Sequence, residues 1–72
     1  MKVTVQVTTP DQQEESTMSM AAACAMLRKA MQYVAGPGVN IEAQFMAGTL
    51  RLINSEPVSV THEGRTIKFC PH

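Results

Sequence analysis

The sequence predicts an α+β fold in which one helix packs on one face of a single, mostly antiparallel sheet. Several short segments alternate apolar with polar residues, as strands with one buried face do. One segment of about 19 residues has helical spacing instead. The chain has 72 residues, which suits one domain, residues 1–72, with a thin core. These observations indicate a two-layer sandwich.

The expected order of elements is β-α-β-β-β-β. Residues 1–7 form the first strand, because three valines alternate there with polar residues. Residues 9–17 begin with Thr-Pro and carry three acids, so they fit either a helix start or a polar loop. The main helix is expected from about residue 17 to residue 35, with Gly36-Pro37-Gly38 as its stop.

The second half of the chain predicts an antiparallel meander. Its segments are short, and each places apolar residues at alternate positions. A tight turn with Gly64 in a left-handed conformation is expected between the last two strands. The four predicted strands cover residues 39–45, 50–54, 58–60 and 66–70.

The predicted helix is apolar on two sides. Its core face lies within an arc of about 120° and contains Met20, Ala23, Cys24, Leu27, Ala30, Met31 and Val34. A second stripe on the far side is the candidate partner-binding surface, formed by Met18, Ala22, Met26, Lys29 and Tyr33. Methionine and tyrosine suit a binding face for another protein or for a second copy of the chain. Exposed alanine and methionine are also ordinary on a helix surface, so both interpretations remain open.

The open face of the predicted sheet is polar. A solvated face and a recognition surface are both compatible with its composition. It is expected to contain Lys2, Thr4, Gln6, Asn40, Glu42, Gln44, Arg51, Ser59, Thr61, Thr66 and Lys68. It carries no aromatic residue for base stacking, and the net charge of the chain is zero, so nucleic-acid binding is disfavoured. A nucleic-acid binder would need Lys2, Arg51, Arg65 and Lys68 to cluster.

The sequence contains no catalytic motif and no phosphate-binding loop. Cys70 and His72 are potential metal ligands, but a zinc site needs four ligands, and Cys24 and His62 are expected elsewhere. We therefore expect no metal and no cofactor. The sequence has no signal-peptide pattern and no membrane-spanning apolar run, which indicates a cytoplasmic protein with reduced cysteines.

These features together predict a small, non-enzymatic module that binds another protein. Its size class favours a regulator or inhibitor that acts by docking, of the type that bacterial viruses carry. A homodimer through the outer helix stripe is a second form of the same expectation. The alternatives are a nucleic-acid-binding module that uses the open sheet face and a small metal-binding protein that uses Cys70 and His72.

Overall fold

The computed structural model describes all 72 residues and confirms the α+β class. It has one open sheet of four antiparallel strands and two helices. The elements are β1 (Lys2–Thr8), β2 (Gln13–Ser19), α1 (Met20–Ala35), α2 (Glu42–Ile53), β3 (Val58–His62) and β4 (Arg65–Pro71). The order along the chain is therefore β-β-α-α-β-β, and the predicted order with one helix and five strands is wrong.

The sheet has the strand order β2-β1-β4-β3, so β1 and β4 lie at its centre. Val5 of β1 is paired with Ser16 on one side and with Phe69 on the other. Phe69 in turn is paired with Val58 of β3. This register places the apolar residues of three strands on one face, and both helices cover that face.

The core lies between the helices and this face of the sheet. It consists of Val3, Val5, Ala23, Leu27, Leu52, Val58 and Phe69. Most of the predicted core face of the main helix is confirmed, since Ala23 and Leu27 are buried and Met20, Cys24, Ala30 and Met31 are half-buried. Val34, however, is 41% exposed near the end of α1.

The main helix begins later than the sequence predicts. Residues 13–19 form β2, an edge strand in which only Met18 is even half-buried. A turn closed by the Thr9 N–H on the Gln12 carbonyl connects it to β1. Ser19 then caps α1 by accepting a hydrogen bond from the Ala22 N–H at 3.2 Å. β2 lacks apolar alternation, and it is held in the sheet by backbone pairing with β1 along seven positions.

Residues 42–53 form a helix, and the prediction of two strands over 39–45 and 50–54 is wrong. The segment contains mainly good helix formers and few β-branched residues. Phe45, Gly48 and Leu52, spaced three and four apart, face the core. Gly48 allows the helices to approach closely, since a Cβ there would lie 3.1 Å from Met31 Cε and 3.2 Å from Leu27 Cδ2.

The predicted helix stop at Gly36 and the predicted tight turn at Gly64 are both confirmed. α1 ends at Ala35, and Gly36 follows with a φ of 99°. β3 and β4 are connected by Glu63 and Gly64, with φ values of 49° and 78°. Two central residues with positive φ are typical of a type I′ hairpin turn. Neither helix is long and apolar enough to cross a membrane.

Candidate functional site

Helix α1 is covered on one flank only. It contacts β1, β2 and β3 as it crosses the sheet, whereas the shorter α2 contacts β3 and β4. The side chains of Met31 and Arg28 face α2. On the opposite flank of α1 no element follows, so part of the apolar sheet face beside it stays open as a groove.

The groove has an apolar floor and one apolar wall. Its volume is about 500 Å³, within the range of pockets that hold ligands in proteins. Val60 and Ile67 form the floor, and Met26, Ala30 and Tyr33 form the helical wall. All but Tyr33 are half-buried, while Tyr33 is 74% exposed. The groove is therefore open to a large partner.

The end of the groove near the β3–β4 turn is predominantly basic. Lys29 and Arg65 lie at its rim, with Glu63 as the one acidic residue there. His62 packs edge-to-face against Tyr33, with 5.4 Å between the ring centroids. This end of the groove therefore favours an acidic group on whatever occupies it.

The groove continues towards the other edge of the sheet. Met26 also lines a second cavity of about 500 Å³ above β1 and β2, together with Val5, Val7, Glu14 and Ser16. Glu14 and Ser16 share the helix-facing side of the sheet because they are paired with Val7 and Val5. The apolar strip beside α1 thus ends in an acidic residue on β2 and in basic residues near β4.

Three of the five predicted partner-binding residues line the groove. Met26, Lys29 and Tyr33 are brought together there, and Ala22 is exposed one turn earlier on the same flank of α1. Met18 does not belong to this stripe. It lies in β2, opposite Val3, and packs half-buried against the core.

The open face of the sheet is polar, as expected, but fewer residues lie on it than the sequence predicts. Asn40, Glu42, Gln44 and Arg51 are not on the sheet, since they lie on α2 or just before it. The cross-strand pairs Thr4–Thr17, Gln6–Glu15 and Thr61–Thr66 satisfy one another through side-chain hydrogen bonds. None of the aromatic residues Tyr33, Phe45 and Phe69 is on this face.

The basic residues of the nucleic-acid alternative are dispersed. Lys2 and Lys68 are on the open face of the sheet, Arg65 is on its helix-facing side, and Arg51 is on α2. These four side chains form no common patch, so the contiguous basic surface that a nucleic-acid binder needs is not assembled.

The potential metal ligands are also separated. Cys70 is paired with Thr4 on the open face, whereas Cys24 is on α1 on the other side of the sheet. The imidazole of His72 hydrogen-bonds the Thr4 hydroxyl. No three His, Cys, Asp or Glu side chains lie close enough together to hold a metal ion. Since the sheet separates the two cysteines, they are not placed for an intramolecular disulfide.

The sequence prediction missed the sheet side of the groove. It expected Val60 and Ile67 to be covered by a single central helix, whereas both line the groove. It also missed the exposed face of α2, because the alternation over residues 39–45 concealed the three- and four-residue spacing of the later apolar residues. Comparison with known protein families, curated proteins and solved structures finds no match to the chain.

Proposed function

We propose that the protein is a non-enzymatic module that binds another protein, and that the groove beside α1 receives an apolar segment of that partner. The observation that supports this is the open apolar groove itself. In a chain of 72 residues, Met26, Val60 and Ile67 are only partly buried against the core, and Tyr33 is exposed. Apolar surface of this kind with a charged rim is characteristic of interaction sites.

The charges at the rim specify the partner segment further. Lys29 and Arg65 are exposed near the β3–β4 turn, so an acidic side chain of the partner would be attracted there. Tyr33 is the best anchor, because a tyrosine presents a large rigid apolar area at small conformational cost. By binding a segment of the partner in this groove, the protein would block or bridge that partner, which is how a small regulator or inhibitor acts. A cytoplasmic location stays a prediction.

Affinity capture from an extract of the source cells tests the proposal with two charge variants of one strand. Arg65→Glu changes the groove side of β4, and Lys68→Glu changes its open side. We expect Tyr33→Ala and Arg65→Glu to reduce capture of the partner at least about tenfold, while Lys68→Glu retains it. Equal capture by all variants would contradict the proposal.

A photo-crosslinking experiment locates the contact directly. The crosslinking amino acid p-benzoyl-phenylalanine replaces Tyr33 in one protein and Thr61, on the open face, in another. We expect a discrete crosslinked partner from the first position and none from the second. Crosslinking from Thr61 alone would assign the partner to the open sheet face and refute the groove.

A further inference from the structure

The floor of the groove belongs to a row of side chains that crosses all four strands. Val7 of β1 is paired with Glu14 of β2 and with Ile67 of β4, and Ile67 is paired with Val60 of β3. The three apolar residues are half-buried, and Glu14 is exposed. With about 4.8 Å between neighbouring strands, the row is about 14 Å long. A segment that follows this row lies across the strands.

The helical wall runs along the same row. Met26 borders both the groove and the second cavity above β1 and β2, whereas Tyr33 borders only the groove and packs on His62 of β3. α1 therefore passes from the β2 end of the row to the β3 end. Met26, Ala30 and Tyr33 are spaced four and three residues apart. Side chains with this spacing form the ridges and grooves into which a second helix packs.

The uncovered strip of the sheet is wide enough for one helix. β4 extends four residues beyond the core residue Phe69, as far as Arg65, which is about 13 Å along the strand. Two packed helices have their axes about 8–10 Å apart. A helix placed beside α1 would therefore still lie over the sheet.

The lining of the groove offers no backbone hydrogen bonds to an occupant. The N–H and C=O groups of the strands lie in the plane of the sheet, and those of α1 are paired within the helix. An extended segment would turn backbone groups towards the apolar floor without partners, which costs free energy. A helix pairs its own backbone groups. The groove therefore favours a helical occupant.

The two ends of the row carry opposite charges that no other side chain neutralises. The ion pairs of the chain are Arg28–Glu42, Arg51–Glu56 and His62–Glu63. Lys29 and Arg65 at one end, and Glu14 at the other, belong to none of them. The C-terminal end of a helix carries a partial negative charge and its N-terminal end a partial positive one. The charges thus favour an occupant whose C-terminal end lies at Lys29 and Arg65.

We propose that the partner segment in the groove is an amphipathic helix of about ten residues, which lies beside α1 and runs in the same direction. Its apolar face packs on Met26, Ala30, Tyr33 and the sheet, its C-terminal end lies at Lys29 and Arg65, and its N-terminal end lies at Glu14. This inference rests on the proposed function, since it specifies the segment that the groove receives.

Photo-crosslinking from the two ends of the row tests the conformation and the direction of the segment. p-Benzoyl-phenylalanine replaces Tyr33 in one full-length protein and the exposed Glu14 in another, and mass spectrometry identifies the crosslinked residues of the captured partner. Across about 14 Å a helix spans about ten residues and an extended segment about four. We expect the Tyr33 contact about ten residues after the Glu14 contact in the partner sequence.

The other outcomes separate this inference from the proposed function. Contacts about four residues apart, contacts in the reverse order, or a crosslink from Tyr33 without one from Glu14 would each overturn the inference. In all three cases the groove would still hold a partner segment, so the proposed function would stand. A partner that crosslinks from neither position would refute the proposed function and this inference with it.

A pair of synthetic peptides with the sequence of the crosslinked segment provides a second test. One peptide carries proline, and the other alanine, at the same solvent-facing position in the middle of the segment. Because proline breaks a helix, we expect it to weaken binding about 100-fold in a fluorescence anisotropy titration. The alanine peptide should keep the affinity of the unmodified one. Equal affinities of the proline and alanine peptides would show that the occupant is not helical.

Discussion

Arg28 connects the two helices through its side chain. Its guanidinium donates to both carboxylate oxygens of Glu42, at 2.5 and 3.4 Å, and it stacks on the Phe45 ring. The hydrogen bond and the charge of Arg28 lower the pKa of Glu42 below its ordinary value. In the same way Glu42 raises the pKa of Arg28. Both groups are exposed, so salt weakens the attraction.

The lowered pKa of Glu42 gives a pH dependence of known sign. Stabilisation by the pair is complete above the ordinary glutamate pKa and is lost as the pH falls through the lower pKa of the folded state. We expect an NMR titration of the Glu42 side chain to give a value below the ordinary one, and Arg28→Gln to return it towards that value. Lys29→Gln, on the other flank of α1, is the control. An unchanged Glu42 titration in Arg28→Gln would show that the pair does not form in solution.

At the scale of elements, the sequence predicts those whose apolar residues follow one clear period. β1, the body of α1 and the β3–β4 hairpin are of this kind, and all three are confirmed. β2 was missed because it is polar on both faces, from Gln13 to Thr17. Its backbone pairing with β1 along seven positions is a tertiary effect that side-chain periodicity does not report.

α2 was misassigned for the opposite reason. Val39, Ile41, Ala43 and Phe45 alternate as in a strand, because the segment has apolar residues on its outer face as well as on its core face. The apolar residues on the outer face of this helix therefore concealed its helical period. Likewise, three residues of the groove were predicted from the spacing along α1, whereas its floor on β3 and β4 depends on where α1 crosses the sheet.

The start of α1 provides a test at this scale, since the sequence predicts it at about residue 17 and the structure places the cap at Ser19. Ser19→Ala removes the acceptor for the Ala22 N–H and is expected to lower the free energy of unfolding by about 1 kcal/mol. Ser16→Ala, on an exposed strand position, is expected to change it by less than about 0.5 kcal/mol. Urea denaturation measures both. A larger loss in Ser16→Ala would place the helix start in the wrong position.

At the scale of the whole molecule, the thin slab has a single small core and two apolar surfaces outside it. The fully buried large side chains are Phe69, Leu27, Leu52, Val3 and Val5. Phe69 lies at the centre, because it is paired across the sheet with both Val5 and Val58. Apolar residues that a larger protein would bury are instead divided between the groove and the outer face of α2, where Met46, Leu50 and Ile53 are exposed. The same small size that limits stability thus leaves apolar side chains exposed on two surfaces.

The two phenylalanines of the chain test how far stability depends on this centre. A domain of this length is expected to unfold with about 4–11 kcal/mol, and truncation of a fully buried phenylalanine costs about 3–5 kcal/mol. Phe69→Ala should therefore lose much of its native population at 25 °C. Phe45→Ala, at a half-buried position under Arg28, should remain folded with a smaller loss. Urea denaturation followed by circular dichroism compares the two, and equal losses would show that the core is not centred on β4.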